Sequence, residues 1–433
     1  MITTIIKQLW NKRRANAWIF IELVLAAYFL WSVTDSLYFY TGNYLTPDGH
    51  TAHECYVVDV DYDIIFGEGD TYIRQTPEMR RANYIDIVKA VRSLPEVTYY
   101  CIAAKNSIPG SSFSTDKGAL ELKSELADWI TFVSLPELGD EQPFATFGIE
   151  DAATRETFVL PPARKNNEIY VSEKYAKALF GTAEVKGREV EFGSKHIIAG
   201  VYKDYKTSNE YYTPLEHSFV TFTSQMRTAA DAYQDIEDRY HLVIRLKEGV
   251  NRAAFEKRFN EEIAPTLRYG YFRCHGIKKV SDIQNELMKM TGGEGDMKMN
   301  IALSLFALGC VFLGMTGCFW IRANARRSEV ALMRSVGASR KRVIAQFLAE
   351  AAILVTLAYI VVAPFLIETA KESLYYDKAY ELGYIISFYL EKIPHFIMHT
   401  GCNYIIILST ALIGTFIAVN KVIEQSPAEA LKD

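Results

Sequence analysis

The stretch IALSLFALGCVFLGMTGCFWI, residues 301–321, carries no charged side chain and is long enough to cross the hydrocarbon core of a bilayer as a helix. Three other stretches meet the same length criterion: residues 17–34 with the single charge Glu22, residues 343–367 with Glu350, and residues 404–419 with none. The mean hydropathy near zero and the net charge of -5 would suit a soluble protein, because they average over these runs. The sequence predicts an integral membrane protein with four spans.

Basic residues beside the spans predict the orientation, since loops rich in lysine and arginine stay on the cytoplasmic side. Between spans two and three a single acid, Glu329, stands against seven basic residues: Arg322, Arg326, Arg327, Arg334, Arg340, Lys341 and Arg342. The segment before span one is also basic, and the loop between spans three and four is acidic on balance. We therefore expect a membrane α-helical fold with four transmembrane helices and both termini in the cytoplasm.

The first span has an alternative interpretation as a cleaved signal peptide, because a basic segment precedes its apolar stretch. The stretch is longer than in most signal peptides, and it runs into Asp35-Ser36-Leu37 without a small-x-small cleavage site. These features favour an uncleaved anchor. The expected organisation is then residues 1–40 as N-terminus and span one, 41–298 as the external domain, and 299–433 as spans two to four.

The external residues alternate between strand and helix patterns. Residues 54–66 and 97–103 read as strands, and between them Thr76-Pro77 predicts a helix start. A similar unit recurs at residues 241–280. We expect a large extracytoplasmic α+β domain made of a split βαβ subdomain, interrupted by an inserted β-rich subdomain at residues 109–239.

Residues 168–200 lie inside the predicted insert and read as a strand, a short helix ending at Gly181, and two strands around Gly193-Ser194.

Enzymatic chemistry is not indicated. The Walker A motif G-x-x-x-x-G-K-[ST] is missing, no Gly-Lys pair occurs, and neither G-x-S-x-G nor H-E-x-x-H is present. His50, His53 and Cys55 do not have the spacing of a standard metal site. Cys55, Cys101 and Cys274 fall in the external domain, where one disulfide is an alternative to the favoured free, buried thiols. We expect no catalytic residue, cofactor or metal on this chain, and no nucleic-acid partner.

Two features at the membrane boundary suggest hypotheses. Gly292, Gly293 and Gly295 precede span two and form either a flexible joint or a hinge for the external domain.

Glu22 lies inside span one, where a carboxylate is costly. An ion pair near the interface with Arg13, Arg14 or an arginine of the loop between spans two and three is favoured over a proton relay.

The loop RRSEVALMRSVGASRKRVIAQFLAE, residues 326–350, predicts a short helix, a sharp turn and then span three. Val330, Met333 and Val336 share one predicted helix face, and Gly337 is a helix-stop signal. Ser339 can cap the following helix. A basic amphipathic segment of this kind either lies among lipid headgroups or docks on a cytoplasmic partner, and periodicity alone favours the lipid interpretation.

The same loop resembles the one between spans two and three in the MacB/FtsX-like family of ABC-transporter permeases. The matching positions are Arg326, Glu329, Val330, Leu332, Arg334, Ser335, Gly337, Ala338, Ser339 and Arg340, with Ala331 in place of the usual glycine. Glu350 is similar to a family glutamate early in span three. The run EIYVSEKYAKALFG, the later HIIAGVYKDY and the C-terminal SPAEALKD are also similar to family segments.

The resemblance implies that this chain is the permease subunit of an ABC-type mechanotransmission or export complex in the bacterial inner membrane. The implied partners are a separate ATPase subunit, which holds Mg-ATP, a second permease chain, the lipid bilayer and a periplasmic adaptor or effector. The loop at 322–342 would contact the ATPase through Arg326, Arg327, Glu329, Val330, Leu332, Met333, Arg334 and Gly337. The alternative is a regulatory subunit that switches a periplasmic partner, such as a cell-wall hydrolase, without transport.

Overall fold

The structure, a computed structural model, describes most of the chain between residues 11 and 424. The gaps are residues 12, 46, 64, 67–71, 74, 111–115, 121–124, 136, 162–166, 193, 207–217, 224–239, 291–292 and 373–384. The C-terminal SPAEALKD motif lies outside the described residues. The chain divides into two compact units: a sheet unit, Gly42–Glu294, and a membrane unit, formed by Met1–Thr41 with Gly295–Asp433.

Strands of the sheet unit alternate with helices in the order suggested by the sequence. They are β1 (Tyr56–Tyr62), β2 (Ile65–Phe66), β3 (Tyr72–Ile73), β4 (Val97–Ala104), β5 (Asp116–Leu120), β6 (Glu125–Val133), β7 (Glu168–Ser172), β8 (Glu189–Phe192), β9 (Ser194–Tyr202), β10 (Ser218–Thr223), β11 (Tyr240–Leu246), β12 (Arg268–Tyr269) and β13 (Phe272–Lys279). Apart from the β2–β3 hairpin, the described strands join one sheet in the order β12-β13-β1-β11-β4-β6-β10-β7-β9-β8, with β5 beside β6.

The first half of this sheet has a split βαβ order. β11 pairs antiparallel with both β1 and β4, so β1 and β4 run parallel on either side of it. Strands from residues 109–239 then extend the same sheet, because β6 pairs with β4 through Ile102↔Val133 and Ala103↔Phe132. The insert therefore shares a hydrogen-bonded edge with the split βαβ unit.

Helices of the sheet unit begin and end at local signals. The first helix of the chain, α1 (Arg13–Leu45), belongs to the membrane unit. The helices of the sheet unit span Pro77–Arg92 (α2), Pro143–Phe147 (α3), Glu173–Phe180 (α4), Arg252–Arg258 (α5) and Val280–Met290 (α6). Thr76 caps α2 by accepting a hydrogen bond from the Met79 amide, and Pro77 occupies the first turn as predicted. Gly181 follows α4 with a φ of 71°, which glycine adopts without steric cost.

Both faces of the split βαβ sheet are buried, because successive strand residues point to opposite sides. On one face Val58 and Ile102 pack with Val88 of α2 and with Phe255 of α5. On the other face lie Val57, Cys101 and Val243, together with Phe144 and Phe147 of α3 and Val280 of α6. The three cysteines of this unit, Cys55, Cys101 and Cys274, are free and buried.

In the residues that the structure describes, the membrane unit contains long apolar helices and one short helix. The long helices are Arg13–Leu45 (α1), Gly293–Ala325 (α7), Arg340–Glu372 (α9) and Ile385–Glu424 (α10), and the short one is Arg327–Ser335 (α8). Among the described helices, four segments are long and apolar enough to cross a membrane: Ala17–Asp35, Met297–Ala325, Arg340–Ala370 and Phe396–Glu424. They correspond to the four predicted spans and are called spans one to four below. A shared core of small and aliphatic residues, including Ala27, Ala307, Ala358 and Ala411, packs the spans together.

Candidate functional site

The site suggested by the sequence motifs centres on α8, which we call the loop helix, between spans two and three. Arg326 precedes it and Glu329 lies in its first turn. It ends where the Gly337 amide donates to the Arg334 carbonyl at 3.0 Å, and Gly337 has a φ of 91°. Ser339 then caps span three by accepting from the Arg342 amide at 3.3 Å. The predicted helix, turn and helix are all present.

A buried ion cluster holds the start of the loop helix. Arg326 donates from Nη1 to Glu350 Oε2 at 2.5 Å, and from Nε and Nη2 to the Glu329 carboxylate at 2.8 and 2.9 Å. Arg322 Nη2 reaches the same Glu350 oxygen at 2.8 Å. Glu350 is 2% exposed, and the two arginines balance the two glutamates. The cluster thus ties the end of span two and the loop helix to span three.

The Arg326 guanidinium also lies 4.4 Å from the ring centroid of Phe347. Burial by itself would lower the pKa of Arg326, but hydrogen bonds to Glu329 and Glu350 outweigh it and raise the pKa above its usual value. Arg326 therefore stays charged under all physiological conditions and keeps its two carboxylate contacts. Such a paired, hydrogen-bonded cluster favours one position of the loop helix.

The far end of the loop helix is held by span four. Arg334 Nη1 donates to the carbonyl of Ile423, in the last turn of span four, at 2.7 Å. Arg340 Nη2 donates to Asn420 Oδ1 at 2.6 Å in the same turn. Val330 packs in a small core with Val343, Phe347 and residues 418–423. Arg334, which the family pattern suggests as a contact for the ATPase, is therefore engaged within this chain.

The exposed face of the loop helix carries Leu332 and Val336 together with Ser328 and Ser335, and no charged side chain. Leu332 is 60% exposed and Val336 is 82% exposed, whereas Val330 is 2% exposed. The prediction that Val330, Met333 and Val336 share one face was wrong for Val336. Six residues at 3.6 per turn rotate a position by about 600°, which places Val336 about 120° from Val330. Val336 is also the C-cap that follows the last helical residue, Ser335. Val336 was absent from the candidate site residues, and its place beside a helix-stop glycine was the signal for adding it.

The remaining candidate residues lie apart from this cluster or outside the described part. Arg327 and Met333 are half-buried, and Gly337 is exposed. Gly293 is the first residue of α7, and Gly295 is exposed in its first turn. Gly292 lies outside the described residues, so the hinge stays a prediction.

The ion pair of Glu22 stays a prediction, and the described side chains show only part of its surroundings. Glu22 faces span two, where a side chain at Gly314 would come within 3.3 Å of its Oε1. Its Oε2 is buried without a hydrogen-bond partner in the described structure. Two arginines of the loop between spans two and three, Arg322 and Arg326, are bound to Glu350. The side chain of Arg13 lies outside the described residues.

The fold and the loop helix define a membrane protein with four spans, a sheet unit inserted between spans one and two, and a short helix anchored between spans two and three. Residues 301–427 match the family model "FtsX-like permease C-terminal". Over these residues the chain is similar to the FtsX-like permeases, and the resemblance drawn from its loop motif is confirmed there.

Three solved structures are each similar to about half of the chain. A domain of a putative permease protein from Porphyromonas gingivalis shows 16% identity and a TM-score of 0.29, covering 53% of this chain and 92% of that one. The periplasmic region of MacB from Actinobacillus actinomycetemcomitans shows 14% identity and a TM-score of 0.30, covering 55% of this chain and 94% of that one. The extracellular domain of the noncanonic ABC-type transporter YknZ from Gram-positive bacteria shows 12% identity and a TM-score of 0.26, covering 50% of this chain and 98% of that one. Curated protein sequences gave no match.

Proposed function

We propose that this chain is the permease subunit of an ABC-type export or mechanotransmission complex, and that its loop helix is the docking site for a separate ATPase subunit holding Mg-ATP. One observation carries the proposal. The loop helix is fixed on one side, through Arg326 to Glu350 and Arg334 to Ile423, and presents Leu332 and Val336 on the other. A short rigid helix with an exposed apolar tip fits a groove on a partner protein.

The anchors explain how force would pass into the membrane unit. A load on Leu332 or Val336 reaches span three through the Arg326–Glu350 pair and span four through the Arg334–Ile423 contact. The loop helix also follows span two directly in the chain. Movement of a bound ATPase would therefore shift three spans together, and the sheet unit is covalently continuous with one of them.

Substitution of the exposed apolar residues tests the docking. Leu332→Glu and Val336→Glu place an unpaired carboxylate in the proposed contact while leaving both anchors intact. Each variant should lower the amount of ATPase that co-purifies with the tagged full-length chain by at least about tenfold, because burying an unpaired charge costs more than about 1.4 kcal/mol. Lys421→Glu is the control, since Lys421 is exposed in the last turn of span four and lies outside the loop helix.

Retention of the ATPase by both loop-helix variants would refute the docking proposal. If the Lys421→Glu control also loses the co-purifying ATPase, the effect comes from added surface charge in general. Arg334 and Glu329 are unsuitable for this experiment, because their side chains bond within the chain and a substitution would release the helix itself.

The regulatory alternative, in which the sheet unit switches a partner without transport, uses the same ATPase contact. The two uses differ in what is coupled to ATP hydrolysis by the assembled complex. An exported substrate should raise the hydrolysis rate when added to the complex in lipid. A partner enzyme should instead gain activity when ATP is added.

A further inference from the structure

A short segment at the start of the sheet unit is fastened to the inserted strands. Residues 47–50, which we call the entry segment, follow α1 in the chain and lie against residues 204–206, just after β9. The Lys206 amide donates to the Asp48 carbonyl at 2.8 Å, and Lys206 Nζ donates to Asp48 Oδ1 at 2.9 Å. The Lys206 side chain is 1% exposed. A backbone hydrogen bond and an ion pair therefore hold the entry segment in place.

The close fit of the entry segment is centred on Gly49 and ends before Thr51. Gly49 has a φ of 71°, which favours glycine, and a Cβ there would collide with the Asp204 carbonyl oxygen. The Thr51 amide donates to the Phe147 carbonyl at 2.8 Å, and Arg245 Nη2 donates to the Thr51 carbonyl at 3.2 Å. Because Thr51 has these separate contacts, an opening of the entry segment would stop there.

His50, the last residue of the entry segment, makes a contact that requires a neutral ring. Its Nδ1 accepts a hydrogen bond from the Ala52 amide at 3.2 Å, so the ring hydrogen lies on Nε2. The ring also stands edge-on to Tyr205, with 6.2 Å between centroids. A proton added to Nδ1 would meet the Ala52 N–H and would place a positive charge in the field of Lys206. Protonation of His50 therefore opposes the closed position of the entry segment.

The surroundings of His50 also favour the neutral ring. The pKa of His50 is lowered from 6.5 to about 4, chiefly because the ring is removed from water. His53 and Lys206 act in the same direction, whereas Asp48 raises the pKa. The attraction of Asp48 is thus outweighed.

Asp204, on the opposite side of the contact, does not drive opening in acid. Its Oδ1 accepts from the Lys174 amide at 2.8 Å, and burial raises the pKa of Asp204 above its usual value. The folded protein therefore binds a proton on Asp204 more tightly than an unfolded chain does, and protonation of this carboxyl does not favour opening. The contact depends on the charge of His50.

We propose that the entry segment is an acid-sensitive latch. A neutral His50 keeps it closed on residues 204–206, and a proton on His50 releases it as far as Thr51. Release adds residues 47–50, about 13 Å of extended chain, to the connection between α1 and the sheet unit. Slack of this length would take up a movement of span one before it reached the sheet unit. The latch stands apart from the proposed function, on which only this mechanical consequence rests.

Acid favours the open form, because the open chain binds the proton more tightly. In an open, solvated segment His50 has the ordinary pKa near 6.5. Above about pH 6.5 the ring is neutral in both forms, and the opening equilibrium is independent of pH. As the pH falls toward 4, the ratio of open to closed chains rises, by more than about tenfold between about pH 7.5 and about pH 5.

Hydrogen exchange followed by mass spectrometry tests the latch in the full-length chain in lipid nanodiscs. Exchange rates at about pH 7.5, about pH 6 and about pH 5 are corrected for the pH dependence of exchange in an unfolded chain. The Lys206 amide reports the latch, since it donates to Asp48. Its protection should fall by at least about tenfold across this range, while amides of β1, which pairs on both sides, should keep theirs. No ATPase is present, so the result does not depend on the docking proposal.

His50→Gln is the test variant, because glutamine can still accept from the Ala52 amide but gains no proton in this range. It should abolish the fall in protection. His53→Gln is the matched control, since His53 is an exposed histidine three residues away, and it should leave the fall unchanged.

Constant protection of Lys206 in the unmodified chain, or an equal fall in β1, would overturn the proposal. A fall that survives His50→Gln, or one that disappears in His53→Gln, would overturn it as well. If His50→Gln fails to give a monodisperse protein, the comparison of Lys206 with β1 in the unmodified chain and the His53→Gln result still decide the question.

Discussion

Glu350 Oε2 lies 2.5 Å from Arg326 Nη1, at a position where Glu350 is almost completely buried. The pair joins the residue just before the loop helix to a position about three turns into span three. Arg322 of span two contacts the same Glu350 oxygen. A buried ion pair of this kind adds little net stability relative to apolar packing, but breaking it by removing one partner is expensive. Its main consequence is a fixed position for the loop helix.

Glu350→Gln should destabilise the membrane unit strongly. The substitution leaves two buried guanidinium groups with only the Glu329 carboxylate, at a cost of about 3 kcal/mol or more. Glu424→Gln is the matched control: Glu424 pairs with Arg340 at 3.5 Å, but both side chains are more than half exposed. Thermal unfolding of the purified full-length chain in detergent should show a clear loss for Glu350→Gln and almost none for Glu424→Gln. Equal melting of the two variants would contradict the structural role of the cluster.

Gly414→Ala should separate spans two and four. A Cβ at position 414 would lie 3.1 Å from Thr316 Cα, a backbone atom that cannot move without shifting the helix. Gly317 provides the control, because a Cβ there meets nothing within 4 Å. We expect Gly414→Ala to lower the midpoint of thermal unfolding and Gly317→Ala to leave it unchanged or raise it slightly, since alanine favours helix. Indifference to Gly414→Ala would argue against close packing of these spans.

Local signals in the sequence predicted local structure well. Thr76 with Pro77, Gly181, Gly337 and Ser339 each begin or end a helix as their chemistry requires, because a cap or a stop depends on a few neighbouring atoms. The four spans followed from length and composition in the same way.

Long-range relationships were not accessible from the pattern. Nothing in the sequence indicated that Arg334 bonds to Ile423, which is 89 residues away, or that β6 extends the sheet beside β4. The partner of Glu22 could not be chosen from the sequence for a related reason, because the choice among several arginines depends on packing between helices, and its ion pair stays a prediction. Val336 was misplaced because a periodic pattern was continued past the end of its helix.

His241→Gln should reduce the acid sensitivity of the sheet unit. Burial, with help from Lys105, lowers the pKa of His241 from 6.5 to about 4, so the folded protein holds this ring neutral. In the unfolded chain the ring takes up a proton below about pH 6.5. Stability is therefore fully present above pH 6.5 and falls as the pH drops toward 4, by at most about 3 kcal/mol for this group.

Chemical unfolding of the full-length chain is monitored by its fluorescence at several pH values. The quantity compared is the slope of the free energy of unfolding against pH. The wild type should lose more stability between pH 6.5 and pH 4 than His241→Gln does. The value at pH 7.5 for each protein separates this slope from any general effect of the substitution. Identical slopes would show that the pKa of His241 does not differ between the folded and unfolded states.

The three cysteines of the sheet unit should stay unreactive until the protein unfolds. Burial raises the pKa of the Cys55 thiol to about 12 and that of Cys274 to about 11, and it raises the pKa of Cys101 well above its usual value. The thiolate is the reactive form, so both access and ionisation protect these side chains. The Cys55 thiol is further held by a hydrogen bond to the Thr146 carbonyl at 2.9 Å.

A variant with Cys310, Cys318 and Cys402 replaced by serine isolates the cysteines of the sheet unit. A water-soluble maleimide at neutral pH should add no label to the folded protein, as read by intact mass. After denaturation without a reducing agent, it should add one label for each of Cys55, Cys101 and Cys274, because all three are free in the structure. Denatured protein that gains a single label would instead reveal a disulfide between two of them, and labelling before denaturation would show that the core opens under native conditions.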